Sequence, residues 1–304
     1  MRYGYFSNVI NDGSIDEIVE SARTTEAQGY DTFWAPQIFS HDALTALAVV
    51  GREVPRIELG TSVVPTYPRH PLMLAQQCLT VVAAANGRLC LGIGLSHKMV
   101  IENMFGMSFD KPVRHMREYL QVLAPAARDG SVSHDGDVYQ VHASIDVKGS
   151  QPFPILLAAL GTRMLAVAGD LADGTITWMT GPSTLRDHVV PTITNASAAA
   201  DRPAPRIVAA LPVCVTDDVD AARQRAATVF KIYGRLPSYR AMLDREGAEG
   251  PADVAVIGSE DEVVERISAL SDLGITDFAV VEFSSNGDDP ERTRQTMSTL
   301  LSQR

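Results

Sequence analysis

One phrase recurs along this chain and restricts its fold more than any other feature: a helical pattern, a glycine, a short polar step, then an apolar run. It appears as "EAQGYDTFWAP" around Gly29, "AAANGRLCLGIG" at Gly87, "DLADGTITWM" at Gly174 and "DLGITDFAVVEF" at Gly274. A glycine just past a helix supplies the left-handed residue that lets the chain reverse. The run after it is short and rich in branched side chains, as a strand covered on both faces requires.

Strands are expected near 2–6, 32–35, 57–64, 89–94, 154–158, 174–178, 207–215 and 277–283. Helix-length segments lie between them at 15–28, 70–85, 113–128, 162–171, 183–200, 219–233 and 260–273, and a last helix at 290–303 closes the outer ring. Eight strands alternating with helices favour a closed (β/α)8 TIM barrel over an open doubly wound sheet. Two stretches break the rhythm. Residues 96–111 read as a long loop after strand four, and 130–152 alternate around "DG" like a surface hairpin. Both are insertions rather than separate units, so residues 1–304 are expected to form a single domain.

Composition removes several function classes. The chain carries 26 Lys and Arg against 37 Asp and Glu, a net charge of −11, which disfavours a nucleic-acid surface. The three cysteines, Cys78, Cys90 and Cys214, suggest neither a disulfide framework nor a metal cage, and a cytoplasmic location is the natural expectation. No apolar stretch approaches the length of a membrane span.

The active site of such a barrel lies at the C-terminal ends of its strands. After strand two come Pro36, Gln37, Phe39 and His41. After strand four come Ser96, His97 and Lys98, and after strand six Trp178, Met179 and Thr180. Strand three runs into "GTSVVPTYPRHP", where Pro65 and Pro68 stiffen a turn that carries Thr66, Tyr67, Arg69 and His70. The functional reading is a polar mouth with acid–base groups, and each histidine also has a plainer one. His70 can simply open the next helix, and His41 can be a loop residue. A three-histidine metal site is not expected, because strand one, "RYGYF", lacks a His pair and no Asp or Glu is expected at a strand end. Gly92 and Gly94 make only half of a dinucleotide fingerprint, and would let backbone approach a flat ring or a phosphate. Gly161 and Thr162 stand between strand five and a helix, with Arg163 beside them. Free amides at a helix start plus a guanidinium suit an anion, while the plainer reading makes Thr162 a helix cap.

Three segments, "LGTSVVPTYPRHPLMLAQQ", "LCLGIGLSHKMVIENMFGMSFDKPVRHMREYL" and "LLAALGTRMLAVAGDLADGTITWM", together resemble the luciferase-like monooxygenase superfamily. The likeness is greatest to its actinobacterial branch that uses the deazaflavin coenzyme F-420. It implies a bulge at the end of strand three with a non-prolyl cis peptide, here Ser62–Val63, pressing on the back of the coenzyme ring. It also implies that Gly161 and Thr162, with Arg163, hold the coenzyme's phosphate. Backbone from Gly94 to Ser96 would support its tail, and Trp178 and Phe39 would close the pocket.

The chain departs from the sugar-phosphate dehydrogenases of that family. Gln37 and Ile38 replace their Asp-His after strand two, His97 replaces a Glu after strand four, and Lys231 is the only lysine of the second half. The resemblance therefore implies hydride transfer between the deazaflavin and an unidentified small molecule, with His97, His70 or Tyr67 moving the proton. The runner-up is an FMN-dependent monooxygenase of the same superfamily, and a third reading is a non-catalytic deazaflavin-binding barrel. A homodimer is possible on the resemblance alone.

Overall fold

Eight parallel strands close on themselves in the computed structural model, which describes residues 1–284 and 289–303. They are β1 (Arg2–Phe6), β2 (Thr32–Ala35), β3 (Glu58–Thr61), β4 (Leu89–Gly94), β5 (Ile155–Leu157), β6 (Gly174–Trp178), β7 (Arg206–Val215) and β8 (Asp277–Glu282). Each pairs in parallel with its successor, and β8 returns to β1 with Tyr3 opposite Phe278. The result is the expected (β/α)8 barrel, helices outside. All eight strands fall within about two residues of the expected ranges at each end, except that the third is interrupted.

The helices start where their sequences provide a partner for free amides. Ser14 and Glu17 form a reciprocal capping box at Ile15–Ala27, with the Ser14 amide donating to Glu17 at 2.7 Å. Asp42 caps Ala43–Glu53 by accepting from the Thr45 amide at 2.9 Å. Gly29, Gly87 and Gly274 have the positive φ expected of helix-ending glycines. Gly174 does not. It opens β6, where a Cβ would lie 1.8 Å from the Arg206 carbonyl oxygen, so close strand pairing requires it there.

The 130–152 insertion is an antiparallel hairpin of Ser131–Asp135 with Gln140–Ser144. The loop after β4 contains a short helix, Lys98–Asn103. Elements beyond the sequence reading include the short helix Val9–Asp12, the helices Ala43–Glu53 and Pro237–Glu246, and a short strand, Val256–Gly258, that pairs in parallel with the end of β7. No described helix is long and apolar enough to cross a membrane.

The barrel interior is layered. At its floor, where the strands begin, Arg206 donates to Glu58 at 2.7 and 2.9 Å and to Asp277 at 2.6 Å. Arg2 and Thr32 add bonds to Glu58 at 2.9 and 2.7 Å. Burial pushes the Glu58 carboxyl up, but its bonds to Arg206 and the charges of Arg206 and Arg2 outweigh this and hold it below the usual range. Above the floor lies an apolar layer around Trp34, fully buried with Cys90, Leu156, Val208 and Ala279. Gly4 and Gly60 admit the indole, since a Cβ on either would lie within 2.3 Å of it. The upper layer is open.

Candidate active site at the barrel mouth

Strand three is broken by a bulge. Gly60 pairs with Cys90 and Val64 with Ile93, so four steps along one strand answer three along the other. The one extra residue is accommodated at Ser62 and Val63, which are joined by a non-prolyl cis peptide and line a cavity of about 1120 Å³. Thr61 fixes the approach. Its hydroxyl donates to the Gly92 carbonyl at 2.8 Å and accepts from the Gly92 amide at 2.9 Å. A Cβ on Gly92 would lie 2.1 Å from the Thr61 carbonyl oxygen, and one on Gly94 would lie 2.7 Å from Val63 Cγ2. These two glycines therefore make room for the bulge, not for a ring or phosphate, and Gly94 is not part of the cavity lining. Ser96, with a positive φ of 62°, is part of it.

The cavity occupies the C-terminal ends of the strands. One wall is aromatic: Trp178 stacks on Phe6 with ring centroids 6.5 Å apart and meets Phe230 and Tyr233 edge-on at 5.8 and 5.7 Å. His97 also lines the cavity, 5.9 Å from the ring of Tyr239, which in turn meets Tyr233 at 5.1 Å. Burial lowers the pKa of its imidazole, which favours the neutral form that can both give and take a proton.

The side chains of the loop after strand three have other partners. Arg69 pairs with Asp42 at 2.5 Å. His70 caps the helix Pro71–Ala84, its Nδ1 accepting from the Leu72 amide at 3.3 Å, and it lies outside the cavity lining. Tyr67 lies flat on His115, centroids 4.0 Å apart, and stacks on Phe109 at 5.3 Å. Its hydroxyl is buried and pushed up to about 12 by burial and by the charges of Asp110 and Glu102. Phe109 and Glu102 line the cavity and Tyr67 sits behind them. His41 bonds to the Gly13 carbonyl at 2.8 Å, and Phe39 lies exposed against Phe105 at 6.4 Å rather than over the cavity. Of the three candidates for proton transfer, only His97 faces the cavity.

Gly161 lines the cavity and stands at the N-cap of Thr162–Leu171. The amides of Met164 and Leu165 both turn to its carbonyl, no side chain caps the helix, and a Cβ on Gly161 would meet nothing within 4 Å. Thr162 is therefore not the cap. Thr162 and Arg163, expected beside the phosphate, are both exposed and lie outside the cavity lining, which Gly161 and Met164 reach from the same turn.

Sequence reasoning missed two contributors. The expectation of no carboxylate at a strand end is corrected by Glu282, which ends β8 and lines the cavity. Burial raises its pKa despite a bond from Arg294 at 3.1 Å and one from the Tyr5 hydroxyl at 3.2 Å. The signal available was a charge closing the apolar run "FAVVEF". The second contributor is the segment from Phe230 to Tyr239, which no strand-end rule reaches because it belongs to the long connection from β7 to β8. Among the described residues, no group of three His, Cys, Asp or Glu is placed to hold a metal ion.

Comparison with known proteins agrees with this architecture. The family described as luciferase-like monooxygenase matches residues 1–277. The 5,10-methylenetetrahydromethanopterin reductase of Archaeoglobus fulgidus is 26% identical over 332 residues, covering 97% of each chain. Among solved structures, the coenzyme F-420 dependent tetrahydromethanopterin reductase of Methanopyrus kandleri superposes with a TM-score of 0.80 at 21% identity, over 99% of this chain and 97% of that one. The oxygenating constituent of 3,6-diketocamphane monooxygenase from Pseudomonas putida, in complex with FMN, gives 0.75 at 18% identity, over 99% and 97%. The two structural likenesses speak to the fold.

Proposed function

Since the chain belongs to the luciferase-like monooxygenase family, we propose that it is a coenzyme F-420-dependent oxidoreductase acting on a small organic substrate. The observation that carries this reading is a cavity of about 1120 Å³ bounded on one side by the Ser62–Val63 bulge and on another by the uncapped helix start at Gly161. The residues fit such a coenzyme. Gly161 leaves open space where free amides face an anion, and Thr162 and Arg163 add a hydroxyl and a guanidinium for its phosphate. The bulge offers a ridge of backbone and the Val63 side chain to a flat ring. When bound, the deazaflavin supplies hydride donation or acceptance.

The remaining work falls to the protein. Trp178, Phe6 and Phe230 form an apolar wall that keeps water from the reacting face. His97, half-buried and neutral, gives or takes the proton that accompanies hydride transfer to or from a polar substrate atom. Ser96 and Ser62 offer further polar groups on the same rim.

The test is anaerobic turnover of the protein with reduced coenzyme F-420 and a panel of electron-poor acceptors, followed through the visible absorbance of the oxidised coenzyme. Acceptor-dependent oxidation without oxygen supports the reading. Turnover that needs oxygen and reduced FMN instead would assign the chain to flavin monooxygenation.

A further inference from the structure

Eleven large apolar side chains stand exposed among the described residues, and eight of them crowd one end of the barrel. Ile38 and Phe39 follow β2, and Met99, Met104, Phe105 and Met107 follow β4. Val229 and Ile232 belong to the connection from β7 to β8. The three stretches meet at the mouth. Ile38, Met99 and Val229 line the cavity while remaining exposed, and Phe39 lies against Phe105 with ring centroids 6.4 Å apart. The other three, Val49, Met73 and Val138, stand on two outer helices and in the hairpin turn. Single apolar side chains are ordinary on a surface, but a cluster around one opening marks a contact.

Positive charge gathers on the same stretches. The chain has a net charge of −11 and four lysines. Three of these, Lys98, Lys111 and Lys231, stand with Arg235 on residues 98–111 and 229–239, where the acids are Glu102 and Asp110. Lys98 meets Glu102 at 3.7 Å, while the other three cations have no acidic partner among the described residues. Exposed Phe, Met and Ile side chains set among unpaired Lys and Arg suit the boundary between headgroups and acyl chains of an anionic bilayer. There the apolar groups bury shallowly and the cations meet opposite charge. The negative charge elsewhere on the molecule is screened beyond about 8 Å at physiological ionic strength. A protein seated over this ring would seal the entrance, whereas a fluid surface leaves the cavity open to molecules dissolved in it. We propose that the barrel mouth docks on an anionic lipid surface, with Phe39, Met99 and Phe105 entering the interface and Lys111, Lys231 and Arg235 meeting headgroup phosphates.

The test is co-sedimentation of the purified protein with vesicles of phosphatidylcholine alone or with an equal share of phosphatidylglycerol. Each basic side chain near an anionic surface strengthens binding about fivefold, so the mixed vesicles should bind at least about tenfold more tightly. Raising NaCl from about 0.1 M to about 1 M should remove most of that advantage. Phe39→Ser combined with Phe105→Ser alters exposed side chains outside the cavity lining. It should weaken binding to the mixed vesicles about tenfold. Equal binding to the two vesicle types, binding to neither, or undiminished binding by the double variant overturns the proposal. So does a wild-type dimer that ignores vesicles and that the double variant splits, which would give the rim to a second copy of this chain. Should the double variant not fold, the two vesicle compositions and the salt series on the wild-type protein decide alone. No arm uses the coenzyme, so docking and the oxidoreductase reading fail separately.

Discussion

Two glutamates at opposite ends of the barrel differ in almost nothing but their partners. Glu58 starts β3 and Glu282 ends β8, and both side chains are largely buried. Glu58 receives Arg206, Arg2 and Thr32, and its carboxyl is held below the usual range. Glu282 receives Arg294 and Tyr5 on one oxygen only, and burial wins, raising its pKa. The floor is a closed network that ties together the starts of five strands, while at the mouth the carboxylate is bonded through one oxygen only. A buried carboxylate is held ionised when its bonds are complete and is pushed toward its neutral form when they are not.

Breaking the floor should have the largest effect. Arg206→Met leaves Glu58 and Asp277 facing each other without their guanidinium, and a loss of about 3–5 kcal/mol in urea unfolding is expected. Coenzyme affinity of the folded fraction should be unchanged, since the floor does not touch the cavity.

Acid should separate the two ends. His115, buried beneath Tyr67 with Thr66 Oγ1 at 3.0 Å, has its pKa lowered to about 4 by burial, in spite of Glu118. The unfolded chain binds that proton near pH 6.5, so stability is present above 6.5 and falls away as pH drops toward 4, by about 3 kcal/mol. Glu58, also lowered, adds its loss only below the ordinary glutamate range. Glu282, raised, works in the opposite sense and is relieved by protonation. Urea midpoints of wild type and His115→Gln between pH 7.5 and pH 4.5 should converge as the pH falls.

The bulge and the helix start make a sharper pair. Gly92→Ala places a methyl against the Thr61 carbonyl and should cost about 1–3 kcal/mol. Gly161→Ala meets nothing and should leave the fold intact. The smallest effect is expected from Thr162→Ala combined with Arg163→Ala: unaltered unfolding, and coenzyme binding weaker by about tenfold, read by fluorescence titration.

The barrel was legible because its signals are local. A glycine after a helix followed by a short branched run needs no distant partner to be recognised, and strand ends follow to within about two residues. Gly174 shows the limit, since its reason is the Arg206 carbonyl across the next strand. The mouth was less legible for the same reason. Tyr67, Arg69 and His70 stand in one turn, yet their partners are His115, Asp42 and the Leu72 amide, and only the last lies close in sequence. Glu282 was overlooked because its burial depends on Arg294 and on Tyr5 at the far end of the chain. Patterns of residue type indicate which side chains could react; only long-range pairing decides which of them remain free to.

We propose that this mouth holds a deazaflavin. It is tested most directly by fluorescence titration of the purified protein with oxidised coenzyme F-420, run beside FMN. Saturable binding of F-420 with little response to FMN, lost in part on replacing Thr162 and Arg163, is the predicted result. A preference for FMN, or binding of neither, would contradict it.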